Sequence, residues 1–375
     1  MKIVIKKNVL NNILEMANLI INEDNINPVL TNILIDASID ENKITCIFSN
    51  ENISVKIDIK EKIQVEKKGK VLIRAKILKG IVSKLPNEDI TLEQISNSLK
   101  IFNSTFDANV NLLDENMYLN INFNFDSTNE FQIKSDILNE AYRKTNHCLA
   151  NATDKNLIIN GICIDSINDE QLINFITTDS YRIALYKKTF NGPKFKIVVD
   201  INLLIFITHF SKLNENICFN IEQNKIYIKW DNIIVISKIM LGTYPNVYNI
   251  FNSQDTQTSE FAINAKQLFN VIDRGMYLVN ADKTPITSIS VNKNFLEATF
   301  KSIEIGSSTE KTPIESINID ENIKFVINAR FLNSSLRAFD DHDVKVTYTG
   351  LNKPIIIADL KEKDFIQLIL PMRSY

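Results

Sequence analysis

The sequence predicts an α+β protein in which a unit of two helices and roughly eight strands occurs three times. One observation is a repeated triplet of short apolar runs at Asn32–Ile59, Gly161–Lys187 and Ile286–Ser308, spaced by about 127 residues. Another is that amphipathic helical segments flank these triplets at matching positions. The length of 375 residues also exceeds what one hydrophobic core usually serves. We therefore expect three domains, at residues 1–125, 126–253 and 254–375.

The first unit begins with a helix and ends in a polar stretch. Residues Lys6–Ile21 have apolar positions at the i, i+3, i+4, i+7 spacing of an amphipathic helix. After the first triplet, a strand at Gly69–Ile73 leads into a second helix, Ala75–Leu85, which Pro86 terminates. Alternating apolar residues then predict strands at Ile90–Ile95, Ser98–Phe102 and Phe106–Leu113. The polar stretch Asn120–Glu130 closes the unit.

The same order of elements returns twice. Helices are predicted at Ser135–Leu149, Ile201–Phe210, Asn264–Val279 and Ala329–Phe339. Asp200 and Asn328 are suitable N-caps for the helices that follow them, whereas Arg74, at the equivalent position, is not. The remaining strands are predicted at Phe195–Val199, Ile217–Ile221, Lys225–Trp230, Ile233–Met240, Lys324–Ile327, Val344–Tyr348, Pro354–Asp359 and Phe365–Leu370.

Composition points to an ordinary globular protein. Hydrophobic residues make up 45% of the chain and charged residues 23%, which excludes extensive disorder. No apolar run reaches the roughly 20 residues that span a bilayer, and the start lacks the apolar region of a signal peptide, so we expect a cytoplasmic location. The cysteines occur singly in or near apolar runs, which predicts buried thiols rather than metal or redox sites: Cys46, Cys148, Cys163 and Cys218.

Charge is distributed unevenly along the chain, although the formal net charge is only −3. The helical windows 6–21, 75–85, 135–149, 200–213, 264–279 and 328–340 hold twelve basic and six acidic residues, which leaves −9 for the rest. If these helices share one surface, that surface is positively charged and would attract a polyanion. Ordinary solvent-exposed helix faces would give the same excess of basic residues without binding a polyanion. The helices lack the interleaved aromatics that stack single-stranded bases and the residue clusters that read base edges. If the helical cations do bind nucleic acid, these absences indicate sequence-independent phosphate contact with duplex DNA, and solvated helix faces stay an equal alternative.

No catalytic motif is present in the sequence. The chain has eight glycines and neither of the phosphate-binding patterns GxGxxG and GxxxxGK[ST], and its three histidines are far apart. The run Asp340–Asp343 follows a predicted helix and precedes a predicted strand, which indicates a polar turn rather than a metal-ligand set. We therefore expect no catalytic residue, metal or cofactor, and the repeat favours a scaffold.

Several short segments carry a resemblance to a known family. They are Pro28–Leu34, Asn160-Gly161, Thr178–Ala184, Tyr244-Pro245 and Pro371–Arg373. Together, in order and over the whole chain, they resemble the bacterial β sliding clamp, the processivity subunit of DNA polymerase III. The resemblance implies three DNA-clamp domains, each of two helices plus antiparallel sheets, that form half of a closed ring. Two chains would associate head to tail as a homodimer, with helices lining a hole for duplex DNA and sheets outside.

The resemblance also implies partners and a non-catalytic role. The replicative DNA polymerase alpha subunit, the clamp loader and other replication and repair proteins would dock short linear peptides in a hydrophobic pocket, and no membrane is involved. Two alternatives of other classes stay open, a DNA-modifying enzyme or loader component with an unseen active site and a toroidal scaffold that never meets DNA. The candidate DNA-binding residues are Lys76, Lys79, Lys84, Arg143, Lys144, His147, Lys266, Arg330 and Arg337.

Two further sets of residues follow from the resemblance. The wall of the peptide pocket would be Ile159, Gly161, Thr178, Tyr181, Ile183, Pro245, Ile250, Asn328, Phe331, Leu368, Leu370, Pro371, Met372 and Arg373. The dimer interface would place Phe106 and Ala108 of one chain against Tyr277 and Leu278 of the other. The chain departs from the family at Asp24 and Asn249, where basic residues are frequent, and at its end, Ser374-Tyr375.

Overall fold

The structure is a computed structural model that describes residues 1–150, 157–168, 170–252, 258–319 and 322–372. Within these residues none of the helices is both long enough and apolar enough to cross a bilayer. The helices of the described part are α1 (Lys7–Ile20), α2 (Ala75–Lys84), α3 (Ser135–Thr145), α4 (Ile201–Phe210), α5 (Tyr248–Asn252), α6 (Ala265–Val279) and α7 (Ala329–Arg337).

The described residues also form twenty-six strands. Those before α3 are β1 (Lys2–Lys6), β2 (Asn32–Ser38), β3 (Lys43–Ser49), β4 (Ile53–Ile59), β5 (Ile63–Lys67), β6 (Gly69–Arg74), β7 (Asp89–Ile95), β8 (Ser98–Phe102), β9 (Asp107–Asn111) and β10 (Phe131–Lys134). The next are β11 (Gly161–Asp165), β12 (Leu172–Thr178), β13 (Arg182–Thr189), β14 (Lys196–Asp200), β15 (Asn216–Glu222), β16 (Lys225–Trp230) and β17 (Ile233–Lys238). The last are β18 (Ser259–Asn264), β19 (Ile286–Val291), β20 (Phe295–Ser302), β21 (Gly306–Pro313), β22 (Glu315–Asn318), β23 (Ile323–Asn328), β24 (Asp343–Tyr348), β25 (Ile355–Asp359) and β26 (Phe365–Ile369).

The predicted α+β class and the three repeats of helices and antiparallel strands are confirmed. All six predicted helices are present, and each apolar triplet forms three strands. The predicted helix Ser135–Leu149 is too long, because α3 ends at Thr145 and a 3-10 turn follows at Asn146–Cys148. The prediction also missed α5 and the strands β1, β5, β10, β18 and β22. These elements are only four to six residues long, so their periodicity is too short to identify.

Local chemistry explains where the helices begin. The Asn328 side chain accepts hydrogen bonds from the backbone amides of Arg330 and Phe331, which caps α7 as predicted. Arg74 makes no capping hydrogen bond at the start of α2, also as predicted. In α1 the buried residues are Leu10, Ile13, Leu14, Met16, Ala17 and Ile20, so the helix presents one apolar face to the sheets.

Every strand pairing is antiparallel, and the strands of the described residues form four sheets. The order is β5-β1-β7-β8-β9 in the first, β10-β15-β16-β17-β4-β3-β2-β6 in the second, β14-β11-β12-β13-β26-β25-β24-β18-β22 in the third and β21-β20-β19-β23 in the fourth. The second sheet joins strands of the first and second repeats through β17 and β4, with Val235 opposite Val55. The third sheet joins the second and third repeats through β13 and β26, with Leu185 opposite Ile366.

This pairing divides the chain into two compact units, which we describe separately. Unit 1 contains Met1–Asn139 and Asn202–Ile239, and unit 2 contains Glu140–Ile201 and Met240–Tyr375. The second sheet lies wholly in unit 1 and the third sheet wholly in unit 2. The cores are filled by branched aliphatic side chains such as Ile3, Ile5 and Val235, all fully buried.

In unit 1, part of the stretch predicted to be polar packs on a sheet. Phe123, with 8% of its surface exposed, lies against Tyr227 and Ile236. Ile121 and Phe125 pack against the same cluster. The prediction for Asn120–Glu130 was therefore too simple, because these three apolar residues alternate with polar ones and face the sheet together.

The cysteine prediction holds for Cys46, Cys148 and Cys163, which are buried. Burial raises the pKa of each of these thiols to about 12, so they are unreactive near neutral pH. The prediction is wrong for Cys218, which lies on β15 opposite Gln132 of β10 and is only partly buried.

Candidate functional site

Much of the predicted pocket wall gathers in unit 2 around one apolar cluster. Ile159, Ile183 and Leu368 are at most 6% exposed and pack with Tyr244 and Val247. Strand register explains part of this, because Ile183 of β13 lies directly opposite Leu368 of β26. The Tyr244 hydroxyl donates a 3.2 Å hydrogen bond to the backbone oxygen of Ile176 in the buried interior.

Gly161 borders this cluster at a position where no side chain fits. A Cβ atom on Gly161 would lie 2.5 Å from Met240 Sδ and 2.7 Å from the backbone oxygen of Val199. The glycine therefore allows close packing of β11 against its neighbours. The predicted pocket wall did not include Tyr244 or Val247. The sequence offered a signal for both, because Tyr244 belongs to the segment Tyr244-Pro245 that carries the family resemblance and Val247 is an apolar residue two positions after it.

The turn between β12 and β13 presents an aromatic side chain at the edge of the cluster. Asp179 Oδ1 accepts hydrogen bonds of 2.9 and 2.8 Å from the amides of Tyr181 and Arg182. Thr178 Oγ1 donates a 2.7 Å hydrogen bond to the backbone oxygen of Arg182. These bonds fix the turn, and Tyr181 is left 60% exposed.

Arg182 connects this turn to α7. Its guanidinium bonds to Asp179 Oδ2 at 2.9 Å and to Ser334 Oγ at 2.8 Å, and it lies 4.1 Å from the centre of the Phe331 ring. The rings of Tyr181 and Phe331 are 6.3 Å apart. Sequence reasoning did not place Arg182 in the wall, yet its planar fork holds the two predicted aromatic residues in position.

The segment with Pro245 and Ile250 is held by a buried carboxylate. Tyr248, on the same short helix α5 as Ile250, donates a 3.0 Å hydrogen bond to Asp165 Oδ2, which also pairs with Lys196 at 3.2 Å. Burial opposes ionisation of Asp165, but hydrogen bonds from the Ile167 amide, Lys196 and Tyr248 outweigh it and lower the pKa of its carboxyl. Pro245 is exposed and Ile250 is 39% exposed.

The end of the described chain runs along the cluster and then onto a separate cavity. The Leu370 amide donates to the backbone oxygen of Tyr181 at 2.9 Å, and the Met372 amide donates to that of Val326 at 2.7 Å. Pro371 and Met372 line a cavity of about 440 Å³. The residues of the apolar cluster are absent from that lining, so these two predicted wall residues border a different concavity. Arg373, the last predicted wall residue, lies outside the described residues.

Six of the nine predicted DNA contacts are helical cations that reach solvent: Lys76, Lys79, Lys84, Lys266, Arg330 and Arg337. The side chains of Lys76, Lys266 and Arg337 are 66%, 63% and 67% exposed, and their ion pairs are long, at 3.9, 3.7 and 3.9 Å. Such exposed, long pairs contribute little free energy, so a phosphate could replace the carboxylate. No ion pair with a described carboxylate involves Lys79 or Lys84.

Lys144 and His147 do not fit the predicted role, and Arg143 is already paired. Lys144 is 4% exposed and lies between Glu362, at 3.2 Å, and the rings of Tyr186 and Phe365. Arg143 bonds to Glu140 at 2.8 Å and to Asp340 at 2.7 Å. Except for Glu140, the residues that pair with Lys144 and Arg143 lie far away in the sequence. The charges of the helix alone therefore could not predict these ion pairs.

His147 lies in a partly buried polar network. Its Nε2 lies 2.8 Å from Gln367 Oε1, and Gln367 Nε2 donates to the backbone oxygen of Ser335 at 3.0 Å. Because Gln367 presents its oxygen, Nε2 of His147 carries the proton of this hydrogen bond. Burial lowers the pKa of His147 to about 4, so the side chain carries no charge near neutral pH.

This pKa predicts a loss of stability in mild acid. In the unfolded chain His147 binds a proton near pH 6.5, whereas in the folded chain it does so only near pH 4. The stabilisation is therefore complete above pH 6.5 and decreases as pH falls toward 4, by up to about 3 kcal/mol. Urea denaturation at pH 7 and pH 4.5 measures the difference, which should shrink in a His147→Gln variant. An equal pH dependence in the variant would contradict this assignment.

The four predicted interface residues lie near free sheet edges. Phe106 directly precedes β9 and Ala108 lies on it, and β9 is one of the two edge strands of the first sheet in unit 1. Tyr277 and Leu278 lie on α6, which packs against β20 and β21 in unit 2. Tyr277 is 89% exposed, which is unusual for so large an aromatic side chain.

One group of described residues has the composition of a cation site. Ligand atoms of His342, Asp359 and Glu362 lie within 4.8 Å of one another. His342 Nδ1 bonds to Asp359 Oδ2 at 2.6 Å, while the amides of Lys361 and Glu362 donate to Oδ1. Burial opposes ionisation of Asp359, but these hydrogen bonds outweigh it and lower its pKa. The group is a paired hydrogen-bond network, and His342 is its one member from the predicted polar turn Asp340–Asp343.

Known proteins that resemble this chain match it along almost its whole length, and they all belong to one family. Models described as the N-terminal, central and C-terminal domains of the DNA polymerase III beta subunit match residues 1–121, 132–246 and 254–373. The beta sliding clamp of Bacillus subtilis is 26% identical over 364 residues, covering 93% of each chain. That of Mycoplasma pneumoniae is 23% identical over 386 residues, covering 100% of each.

Solved structures share the fold. A DNA polymerase sliding clamp from Bacillus subtilis has a TM-score of 0.90 at 24% identity, and a DNA polymerase III beta subunit from Thermotoga maritima has 0.88 at 13% identity. Both comparisons cover 100% of each chain. The chain therefore belongs to the bacterial β sliding clamps, the non-catalytic processivity subunits of DNA polymerase III.

Proposed function

We propose that two copies of this chain associate head to tail into a closed ring around duplex DNA and hold the replicative polymerase on it. The domains would be residues 1–125, 126–253 and 254–375. The clamp loader and repair proteins would use the same docking pocket as the polymerase alpha subunit. Membership of the sliding-clamp family supports the proposal throughout, and strand pairing supports the head-to-tail arrangement in particular.

Strand pairing is the observation that carries this proposal. Within the chain, successive repeats join in the same way: the last strand of one repeat pairs with the third strand of the preceding triplet. These pairs are β17 with β4 and β26 with β13. In the described chain β9, the last strand of the first repeat, and β21, the third strand of the last triplet, are sheet edges. The repeat therefore leaves β9 of one copy and β21 of another as the matching pair.

The ladders also suggest a register for this contact. The two contacts within the chain have the same register when positions are followed across each sheet, strand by strand, from the residue that precedes the equivalent helix. Applied to β9 and β21, this register would place Asp107 opposite Thr309. Both residues are exposed in the single chain. The exposed ring of Tyr277 lies on the helix that packs behind β21, where a partner would cover it. If two copies make this contact twice, the assembly closes into a ring, and neither β9 nor β21 is left unpaired.

A cysteine cross-link tests this register. We expect a chain with Asp107→Cys and Thr309→Cys to form a covalent dimer under mild oxidation, because facing strand residues have Cβ atoms within disulfide reach. Denaturing electrophoresis without reductant measures it. Each single variant serves as the control and should stay at the mass of one chain. If the double variant also fails to cross-link while the native protein is dimeric, the proposed strand pairing is wrong.

The helical cations support the DNA-binding part of the proposal. Lys76, Lys79, Lys84, Lys266, Arg330 and Arg337 would contact phosphates, whereas buried Lys144 and neutral His147 would not. Such contacts do not read sequence and are salt-sensitive, so they allow sliding. Linkage of a closed ring to DNA, rather than affinity, would then keep the polymerase in place.

The apolar cluster supports peptide docking. Ile183 and Leu368 belong to it, Tyr181 precedes Ile183 by two residues, and Tyr181, Phe331 and Ile250 are exposed to different degrees. A concave apolar surface with a few fixed polar groups suits the anchor residues of a linear peptide. Rigid positioning by Arg182 and Asp179 would reduce the entropy lost on binding.

The exposed aromatic side chain provides a test of this pocket. We expect Tyr181→Ala to weaken binding of the polymerase alpha subunit by about tenfold, since a tyrosine anchor contributes on the order of 1 to 2 kcal/mol. Binding to the immobilised clamp measures the effect. Leu213→Ala, which removes another strongly exposed apolar side chain, outside the predicted pocket wall and the predicted interface, is the control for this partner. Unchanged affinity for Tyr181→Ala would exclude that side chain from the docking site.

A further inference from the structure

We propose that the connector segment, Ile121–Phe125, covers a second docking face for linear peptides at the joint between the first and second repeats. The proposal rests on the peptide-docking function proposed above, because this covered face corresponds position by position to the apolar cluster around the docking pocket. The chain itself occupies the face, so a peptide reaches it only when the connector segment leaves. Neither family membership nor the predicted pocket wall gives the segment a role.

The connector segment lies across the joint between two repeats. Its apolar side chains, Ile121, Phe123 and Phe125, pack on the second sheet, whereas Asn122 and Asn124 between them are exposed. On the sheet side, one residue comes from β3 of the first repeat and three come from β16 and β17 of the second: Ile47, Tyr227, Ile234 and Ile236. The segment therefore covers an apolar face that both repeats build.

Strand register relates this covered face to the docking cluster of unit 2. In the turn between β3 and β4, Asn50 Oδ1 accepts hydrogen bonds of 2.8 and 2.7 Å from the amides of Asn52 and Ile53. Asp179 makes the same pair of bonds in the turn between β12 and β13, which aligns Ile53 with Arg182. The strand pairs then place four residues of the covered face on four of the docking cluster: Ile47 on Ile176, Tyr227 on Ile356, Ile234 on Ile366 and Ile236 on Leu368.

The chain also leaves the first and second repeats at equivalent points. The Leu113 amide donates to the backbone oxygen of Leu72 at 3.0 Å, and the Met240 amide donates to that of Val198 at 2.8 Å. After Met240 the chain adds Tyr244 to the docking cluster and leaves the exposed side chains of the proposed pocket uncovered. After Leu113 the chain instead runs over the corresponding face. The first joint therefore has a cover where the second has a pocket.

The connector segment is held mainly by its side chains. Within the described residues, the main chain of Ile121–Phe125 forms no backbone–backbone hydrogen bond and belongs to no strand. Asn220 Nδ2 donates to the backbone oxygen of Asp126 at 2.7 Å, and Lys229 Nζ lies 5.7 Å from the centre of the Phe125 ring. A segment without ladder hydrogen bonds leaves a sheet at a lower free-energy cost than a paired strand does. The face can therefore open while the second sheet stays intact.

The residues of the covered face select the kind of peptide. Ser54 and Lys56, both half-buried, lie where the docking cluster has Ile183 and Leu185, so this face is more polar beside its apolar part. An extended peptide that alternates large apolar with polar residues suits such a surface, because successive side chains point to opposite sides. The connector segment itself has this composition.

A peptide with the sequence of the connector tests the proposal on the full-length protein. The probe is a synthetic peptide of residues 119–127 with a photoreactive group at its amino end. A variant with Ile121→Ser, Phe123→Ser and Phe125→Ser should bind it at least about tenfold more tightly than the native protein, because the probe restores the lost apolar contacts. Fluorescence anisotropy measures the affinity, and mass spectrometry should locate the cross-links on β3, β16 or β17.

The exposed asparagines of the same stretch provide the matched control. Asn120→Ser, Asn122→Ser and Asn124→Ser together leave the apolar side chains in place, so this variant should bind the probe as weakly as the native protein. Phe123→Ala, a milder change, keeps the test available if the first variant does not fold, with an expected gain of about threefold. Equal affinity of the native protein and the folded connector variants would overturn the proposal.

The position of the cross-links separates this face from the docking pocket. Cross-links confined to β13 or β26 would place the probe in the pocket of unit 2 and would also overturn the second face. Tyr181→Ala tests that pocket independently, because Tyr181 lies in unit 2 and the covered face lies in unit 1. Cross-links on β16 or β17 that persist in the connector variant with Tyr181→Ala added are the result that the proposal requires.

Discussion

Replacing Lys76, Lys79 and Lys84 by glutamate is expected to abolish most of the retention of this clamp on DNA. All three lysines lie on α2, and none is buried. Each phosphate contact contributes about 0.9 to the slope of log affinity against log salt, so losing three per chain, or six per two-chain ring, lowers the slope by about 5.4. Affinity for duplex DNA at low salt should fall about tenfold or more, because the glutamates also repel phosphate. Fluorescence anisotropy with a labelled duplex over a salt series measures both quantities.

A matched charge reversal separates local contact from net charge. Lys225, Lys238 and Lys301 are exposed lysines on strands, so their replacement by glutamate gives the same change in net charge. We expect this control to bind DNA almost as the native protein does, since the sheets would face away from the duplex. Equal losses in the two triple variants would show that overall charge, rather than the helical surface, governs DNA binding.

Tyr277→Asp is expected to convert the proposed dimer into a monomer at micromolar concentration. The tyrosine is 89% exposed in the single chain, so its replacement should not disturb the fold. In the proposed interface its ring would become buried, and a carboxylate there would lose the apolar contact and remain unpaired. We expect the dissociation constant of the dimer to rise about a hundredfold, or about 2.7 kcal/mol. Analytical ultracentrifugation over a concentration series measures it.

Leu213→Asp provides the comparison for this variant. Leu213 is also strongly exposed, at 78%, but lies after α4 and away from both free edge strands in the sequence. Its replacement should leave the mass in solution unchanged. If Tyr277→Asp remained dimeric with native affinity, α6 would have no part in the contact between copies.

Much of the fold could be predicted from the sequence because its signals are local and occur three times. The helical spacing in α1 and the capping side chain of Asn328 each depend on residues within a few positions. The missed strands β5 and β22 are short, and their place is set by pairing with distant strands β1 and β18. Pattern reasoning cannot supply such long-range partners.

The candidate site was less predictable for the same reason. A lysine at position 144 looks like any helical cation, and its burial depends on Glu362 and Phe365, more than two hundred residues away. The role of Arg182 depends on Phe331 and Ser334, which α7 brings to the turn. Motifs therefore indicated the neighbourhood of the pocket, whereas the pairing of charges within it required the structure.

Retention on circular and linear DNA tests the central proposal most directly. The clamp, loaded by its loader onto a nicked circular duplex, should stay bound during gel filtration at a salt concentration that removes simple phosphate contacts. Cutting the circle once should then release it, because a closed ring slides off a free end. Equal retention before and after cutting, or equal loss from both, would contradict encirclement as the way this protein stays on DNA.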